Sequence, residues 1–133
     1  MKITEICVGN YVYNKDNELC KVCVVDLRTN SVIVDNYAHD DGTFYEYSIE
    51  EVKPVPLTAE ILEKNDFRKD LSGSYCNSDD FHDIDIKEYS DSIWYVRIED
   101  TEFTMPTEAC SVSYVHQLQN FLRNCGIEKE VKL

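Results

Sequence analysis

Two short segments gather residue types that could do chemistry. Cys20-Lys21-Val22-Cys23 has the two-residue gap of a zinc knuckle or a redox pair. On an extended strand residues three apart point to opposite faces, so these sulfurs meet only where the backbone turns, and nothing in the segment predicts a turn. A tetrahedral site also needs two further ligands, and the six cysteines offer no second pair of matching spacing. Two strand cysteines packed as small hydrophobes are expected. Asp79-Asp80-Phe81-His82-Asp83-Ile84-Asp85 gathers four carboxylates and an imidazole within seven residues, a set suited to a hard divalent cation or to general acid-base work. The calcium-loop template fails, because its sixth position lacks Gly and no Glu closes the twelfth. Asp83 and Asp85 should share a sheet face with Arg97, so a solvated ion-pair face accounts for them. His116, between core positions of the last predicted helix, reads as a hydrogen-bonded structural histidine. No Ser, Cys or His arrangement matches a nucleophile elbow, and the four glycines form no phosphate-cradling loop. The expectation is no enzyme: no catalytic residue, no metal ligand and no cofactor.

The aromatic surplus points instead to binding. Nine tyrosines accompany five Phe and one Trp, and Tyr11 with Tyr13, like Tyr45 with Tyr47, falls on one strand face as a pair. Exposed, such a pair offers apolar area with a polar tip to a protein or peptide partner. Tyr11 and Tyr13 are the expected binding residues, because Val12 between them is the better inward residue. Charge narrows the partners. Acidic residues outnumber basic ones 26 to 13, and the net charge of −13 repels phosphate backbones and anionic membranes, so direct nucleic-acid binding and membrane adhesion are excluded. The alternative in another class is an acidic nucleic-acid mimic that inhibits a host nucleic-acid-binding protein, which requires one continuous negative stripe. The excess is concentrated: residues 57 to 102 carry thirteen acids and five bases, against ten and five before them and three of each after.

The elements that must position these residues are mostly strands. At 133 residues the chain is long enough for a real core. Its first fifty-odd residues alternate and carry turn punctuation, as small antiparallel strands do. Tyr11-Val12-Tyr13, Leu19 to Leu27, Val32-Ile33-Val34 and Phe44 to Tyr47 are predicted strands, separated by Lys15 to Glu18, Arg28 to Ser31 and an Asp-Gly turn at Asp41-Gly42. Ser48 to Val52 suits one tight helical turn, and the prolines of Lys53-Pro54-Val55-Pro56-Leu57 forbid a central-strand position. A short helix follows, with Thr58 as its cap, Glu60 in its first turn, Ile61 and Leu62 inward, and Asn65 as its left-handed end. Ile84 and Ile86 face opposite Asp83 and Asp85, and Trp94, Val96 and Ile98 face opposite Tyr95 and Arg97. A three- or four-stranded sheet completed by a strand near Phe103 is the expectation. A helix from about Val112 to Asn124 should cover it through Val115, Leu118 and Leu122, with Gly126 as terminator. The tail from Ile127 to Leu133 should add an edge strand or stay loose.

The fold class expected is therefore α+β: an N-terminal small SH3-like β-barrel over residues 1–57, then residues 58–133 as a connecting helix and an antiparallel β-sheet covered by the C-terminal helix, packed as one unit. The opening residues lack the continuous apolar run of a signal peptide, and no stretch has membrane-spanning length. An unexported chain keeps its cysteines as thiols.

Three strings also carry a resemblance. They are Ile3-Thr4-Glu5-Ile6-Cys7-Val8-Gly9-Asn10-Tyr11-Val12, the segment from Ile49 through Pro54-Val55-Pro56-Leu57-Thr58 to Phe67, and Tyr114-Val115-His116-Gln117-Leu118-Gln119-Asn120. In order and over nearly the whole chain, they resemble a family of small uncharacterised proteins encoded in genomes, prophages and mobile elements of gut Bacteroidetes. Those relatives usually carry Gly where this chain has Asp66. The resemblance implies a bacterial cytoplasmic protein, with a phage origin open, and brings no activity, cofactor or catalytic residue with it.

Overall fold

The computed structural model describes residues 1–39, 41–79, 81–100 and 107–133. They form an α+β protein, mostly strand, with two antiparallel five-stranded sheets and two α-helices. Two compact units emerge: Met1–Val55 with Tyr114–Asn120, and Pro56–Ser113 with Phe121–Leu133.

The first unit holds β1 (Tyr11–Tyr13), β2 (Leu19–Asp26), β3 (Ser31–Asn36), β4 (Phe44–Ser48) and β5 (Lys53–Pro54). They lie in the order β4-β3-β2-β1-β5, an open sheet rather than a closed ring. A 3-10 turn at Ile49–Glu51 separates β4 from β5. Ser48 caps that turn with its hydroxyl, and Glu51 reaches back to the Ser48 N–H at 2.8 Å, which is a capping box. Pro54 lies on the edge strand β5, where its missing N–H costs the ladder nothing. The inward row of Val12, Cys20, Val22, Val32 and Val34 is almost wholly buried, with Ile6, Ile49 and Val52 around it. Tyr45 and Tyr47 pack against this core as a same-face pair.

The second unit holds α1 (Ala59–Lys64), β6 (Arg68–Lys69), β7 (Tyr75–Ser78), β8 (His82–Ser90), β9 (Ile93–Asp100) and β10 (Glu108–Val112), in sheet order β10-β9-β8-β7-β6. Alternation partitions β8 and β9 as expected: Ile84, Ile86, Trp94, Val96 and Ile98 are buried, while Asp85 and Arg97 stand opposite each other on the other face. Trp94 satisfies its indole N–H on the Leu57 carbonyl at 3.1 Å and meets the Tyr75 ring edge-on. The sheet has five strands, not three or four, because two-residue pairing at β6 and the segment after residue 107 each add one. A strand near Phe103 lies outside the described residues. Val112 ends β10, paired with Trp94, so the last helix, α2, starts later and runs Val115–Asn124. Its residues to Asn120 belong with the first unit and those from Phe121 with the second.

Both helix ends follow local chemistry. Thr58 Oγ1 accepts the Ile61 N–H at 3.3 Å, and beyond α2 Gly126 takes φ 77° while the Ile127 N–H returns to the Leu122 carbonyl, a left-handed stop. At α1 the exit differs from expectation. Asn65 keeps φ −102° and Asp66 takes the left-handed turn at φ 65°. Asn65 is recruited elsewhere: buried, it donates to the Ile61 and Lys132 carbonyls and accepts the Lys132 N–H. That clamp, with Ile127 and Val131 buried, fixes the tail without making it a strand or leaving it loose.

A side chain at positive φ strains the Cβ against its own backbone, and glycine does not carry that cost. Asp66→Gly should therefore raise the unfolding free energy by about 1 kcal/mol. Urea denaturation measures it, and a neutral or lowered midpoint would refute strain at this exit.

Candidate functional site

Register assigns the outer face of the first sheet. Tyr11 opposes Lys21, Lys21 opposes Asp35, and Asp35 opposes Phe44; Val24 opposes Ile33, which opposes Glu46. Opposed residues share a face, so these rows run side by side. Lys21 and Val24, three apart, reach the same face because a β-bulge falls between Val22 and Val24. The backbone irregularity that the sequence did not predict thus lies at Cys23, beside the suspected Cys20-Cys23 pair. Cys20 is buried and its thiol donates to the Glu18 carbonyl, whereas half-buried Cys23 donates to the Lys21 carbonyl.

Tyr11 and Tyr13 do lie opposite Val12, but they are not an exposed pair. Tyr11 is only 7% exposed and Tyr13 is half-buried. The Tyr37 ring stands 6.2 Å from that of Tyr11, the Lys21 ammonium lies 5.7 Å over it, and the Tyr11 N–H donates to Gln119 Oε1. Period-two reasoning assigned the face correctly; the covering groups come from elsewhere in the chain. Exposed apolar residues of this unit include Phe44 at 62%, Tyr37 at 49% and Val24 at 46%, the last opposite half-buried Ile33. Phe44 opens β4, which pairs only with β3 among the described residues. The signal for this edge lay in the turn before Phe44 and in the absence of Lys or Pro from Phe44–Ser48, the usual edge-blunting residues.

Beside this face a polar cluster fixes the loops. The Glu18 carboxylate accepts the Asn14 and Asn36 side-chain amides at 2.8 and 2.7 Å and lies 3.3 Å from His39 Nε2. The two amides, Asn14 first, hold Glu18 below the usual carboxylate range. Asn10, fully buried, donates to Gln119 and Asn120, and Asn120 donates to the Glu5 carbonyl at 2.9 Å. Side chains at the two ends of the first unit's sequence are joined there.

The described residues of the acidic segment divide between a local turn and a strand face. Asp79 accepts the Phe81 and His82 backbone N–H groups at 2.7 and 2.6 Å and lies 3.4 Å from His82 Nδ1. Asp83 and Asp85 line a shallow concavity of about 210 Å³ with Cys76, Arg97 and Glu99. Arg97 lies 3.5 Å from Glu99, and the Cys76 thiol donates to Asp85 and Asp70 at 3.4 and 3.5 Å. Asp80 lies outside the described residues. No cluster of three His, Cys, Asp or Glu suited to a metal ion occurs among the described residues. Burial, reinforced by Asp85, pushes the Cys76 thiol up to about 12, and burial pushes Cys20 and Cys110 up to about 11 each. These thiols stay protonated at neutral pH and are poor nucleophiles.

His116 departs from expectation. It is 1% exposed and stacks on Tyr114 with ring centroids 5.8 Å apart, yet neither ring nitrogen has a hydrogen-bond partner among the described residues. Burial lowers its pKa below the usual histidine value, against the attraction of Glu5.

No family model, curated protein or solved structure matches this chain.

Two predictions follow from these placements. Tyr11→Ala should destabilise by about 3 kcal/mol, the cost of a buried aromatic truncation, while Phe44→Ala should stay within about 0.5 kcal/mol of wild type. Denaturant unfolding of both checks it, and equal effects would contradict the burial assignment. For His116 the folded pKa is depressed, so the unfolded chain takes up the proton first as pH falls below about 6.5. Stability is full above that value and declines as pH drops through the folded pKa. His116→Phe should abolish that part of the decline, because the titrating group is gone, and raise stability across the pH range by about 1 kcal/mol, since two unpartnered buried nitrogens are removed. Denaturation midpoints between pH 5 and 8 read the slope; an unchanged slope would place the titration elsewhere.

Proposed function

We propose that this chain is a non-catalytic protein- or peptide-binding module that docks its partner on the outer face of the first sheet at the β4 end. The observation that carries this reading is that Phe44 on β4, Tyr37 after β3 and Val24 on β2 all face solvent, Phe44 on a strand edge with no partner strand among the described residues. Aromatic and aliphatic side chains held by a rigid sheet lose little entropy on binding and yield their full apolar area. An SH3-like architecture for the first unit is supported by the meander β1 to β4, the 3-10 turn before β5, and the return of β5 to pair with β1. Support for the non-catalytic reading comes from the protonated thiols and from carboxylates spent on local turns.

Membership of the Bacteroidetes family and a bacterial cytoplasmic setting are proposals that rest on the three strings. No helix among the described residues is long and apolar enough to cross a membrane. The acidic-mimic reading draws less support, because cations interrupt the carboxylates on both sheets: Lys21 opposes Asp35 and Arg97 opposes Asp85.

Affinity capture from a host lysate tests the module reading. Wild type should retain a saturable partner, and Phe44→Ser with Val24→Ser should weaken retention about 30-fold, the loss expected of a central apolar anchor. Tyr89→Ser, on an exposed hairpin of the second unit, should leave it unchanged. A partner lost with Tyr89 and kept by the double variant would overturn the assigned face.

A further inference from the structure

We infer that the occupant of the β4 edge is an extended basic segment of another protein, added to the first sheet as one more strand; this deepens the docking reading above and rests on it. Three observations converge. The first is that β4 pairs on one side only among the described residues, leaving a row of backbone donors and acceptors on the other. Natural edges are blunted by charge, above all Lys, by Pro or by a bulge; Phe44-Tyr45-Glu46-Tyr47-Ser48 carries no Lys, Pro or bulge, its one charge is Glu46, and it pairs with β3 in unbroken register. The second is the alternation along the edge, with Phe44, Glu46 and Ser48 exposed and Tyr45 and Tyr47 half-buried, which gives an added strand apolar contacts on both faces.

The third is charge. From Asp40 to Val52 the sequence holds five carboxylates and no Lys or Arg. Asp41, Glu46, Glu50 and Glu51 are exposed around the strand. Their hydrogen bonds are to neutral groups: Asp41 accepts the Thr43 N–H, Glu46 the Ser31 hydroxyl, and Glu51 the Ser48 N–H. None of these three bonds neutralises a carboxylate. An incoming strand carrying Lys or Arg gains attraction from Glu46 at the strand centre and from Asp41, Glu50 and Glu51 at its two ends, and a second copy of this chain does not. Antiparallel pairing of two β4 edges about their centres would set Glu46 against Glu46, a like-charge cross-strand pair that destabilises. The acidic rim thus selects a basic partner and opposes self-association through the same edge.

The test uses the full chain and three fluorescein-labelled eight-residue peptides in which Val alternates with Lys, Glu or Ser. Fluorescence anisotropy at low and high salt gives affinities, and backbone amide NMR shifts locate the binding. The Lys peptide should bind at least about tenfold more tightly than the other two, weaken with salt, and shift residues 44–48. Glu46→Lys with Glu50→Lys should reduce its affinity about tenfold. N-methylation of alternate amides, which removes one hydrogen-bonding edge of the peptide, should abolish binding. Equal binding of the Ser peptide at residues 44–48 would overturn the charge selection and leave the docking face standing. Binding of the Lys peptide that survives N-methylation, or that shifts other residues, would overturn strand addition, as would failure of all three peptides. Dimerisation of the chain that is lost with Phe44→Ser would identify a second copy as occupant and overturn the proposal. Phe44-dependent capture from lysate without any peptide shift would sink this inference while sparing the module reading.

Discussion

Burial of one valine row governs the first unit. Val12, Val22, Val32 and Val34 are each at most 1% exposed, and Cys20 is as deep. Each side chain of this size contributes about 1.5 to 2 kcal/mol when taken out of water, and all of them depend on one register. A one-residue slip of any strand would turn its whole row to solvent. Register therefore fixes which side chains stand outside, and the outer rows of Lys21, Asp35 and Phe44 and of Val24, Ile33 and Glu46 follow from the inner one. The candidate docking face is the far side of the core.

The bulge at Cys23 refines that relation. Inserting one residue into β2 lets Val22 and Val25 both serve the interior, the latter packed beside the core, while Val24 is 46% exposed. Without the bulge, the phase set by Cys20 and Val22 would send Val24 inward and Val25 out. The irregularity beside Cys23 is thus the one that supplies an apolar residue to the outer face.

Polar groups in the interior divide into two kinds. Asn10, Asn14, Asn36 and Asn65 are buried and donate to Asn120, Tyr47, Glu18 and the Lys132 carbonyl respectively, so each ties segments distant in sequence at little net cost. His116 is buried without such a partner among the described residues and carries a desolvation cost. Its neighbours Tyr114 and Glu5 offer stacking and charge, but no aligned acceptor. The contrast explains why the asparagines are structural clamps and the histidine is a pH liability.

Local features were legible in the chain alone because they are set by neighbours a few residues away: the strand alternation at Ile84-Asp85-Ile86, the cap at Thr58, the left-handed stop at Gly126, and the tight turn after Ser48. The sequence also determined the acidic stretch between Asp40 and Val52, which no fold can alter. Tertiary structure alone decided that Tyr11 is covered by Tyr37 and Lys21, that Phe44 is not, that Asn65 is drawn to Lys132 so that Asp66 takes the turn, and that His116 has no hydrogen-bond partner among the described residues. Exposure and hydrogen-bond satisfaction sum over contacts from segments far apart along the chain, and periodicity, which assigns a face, carries no information about what will cover it.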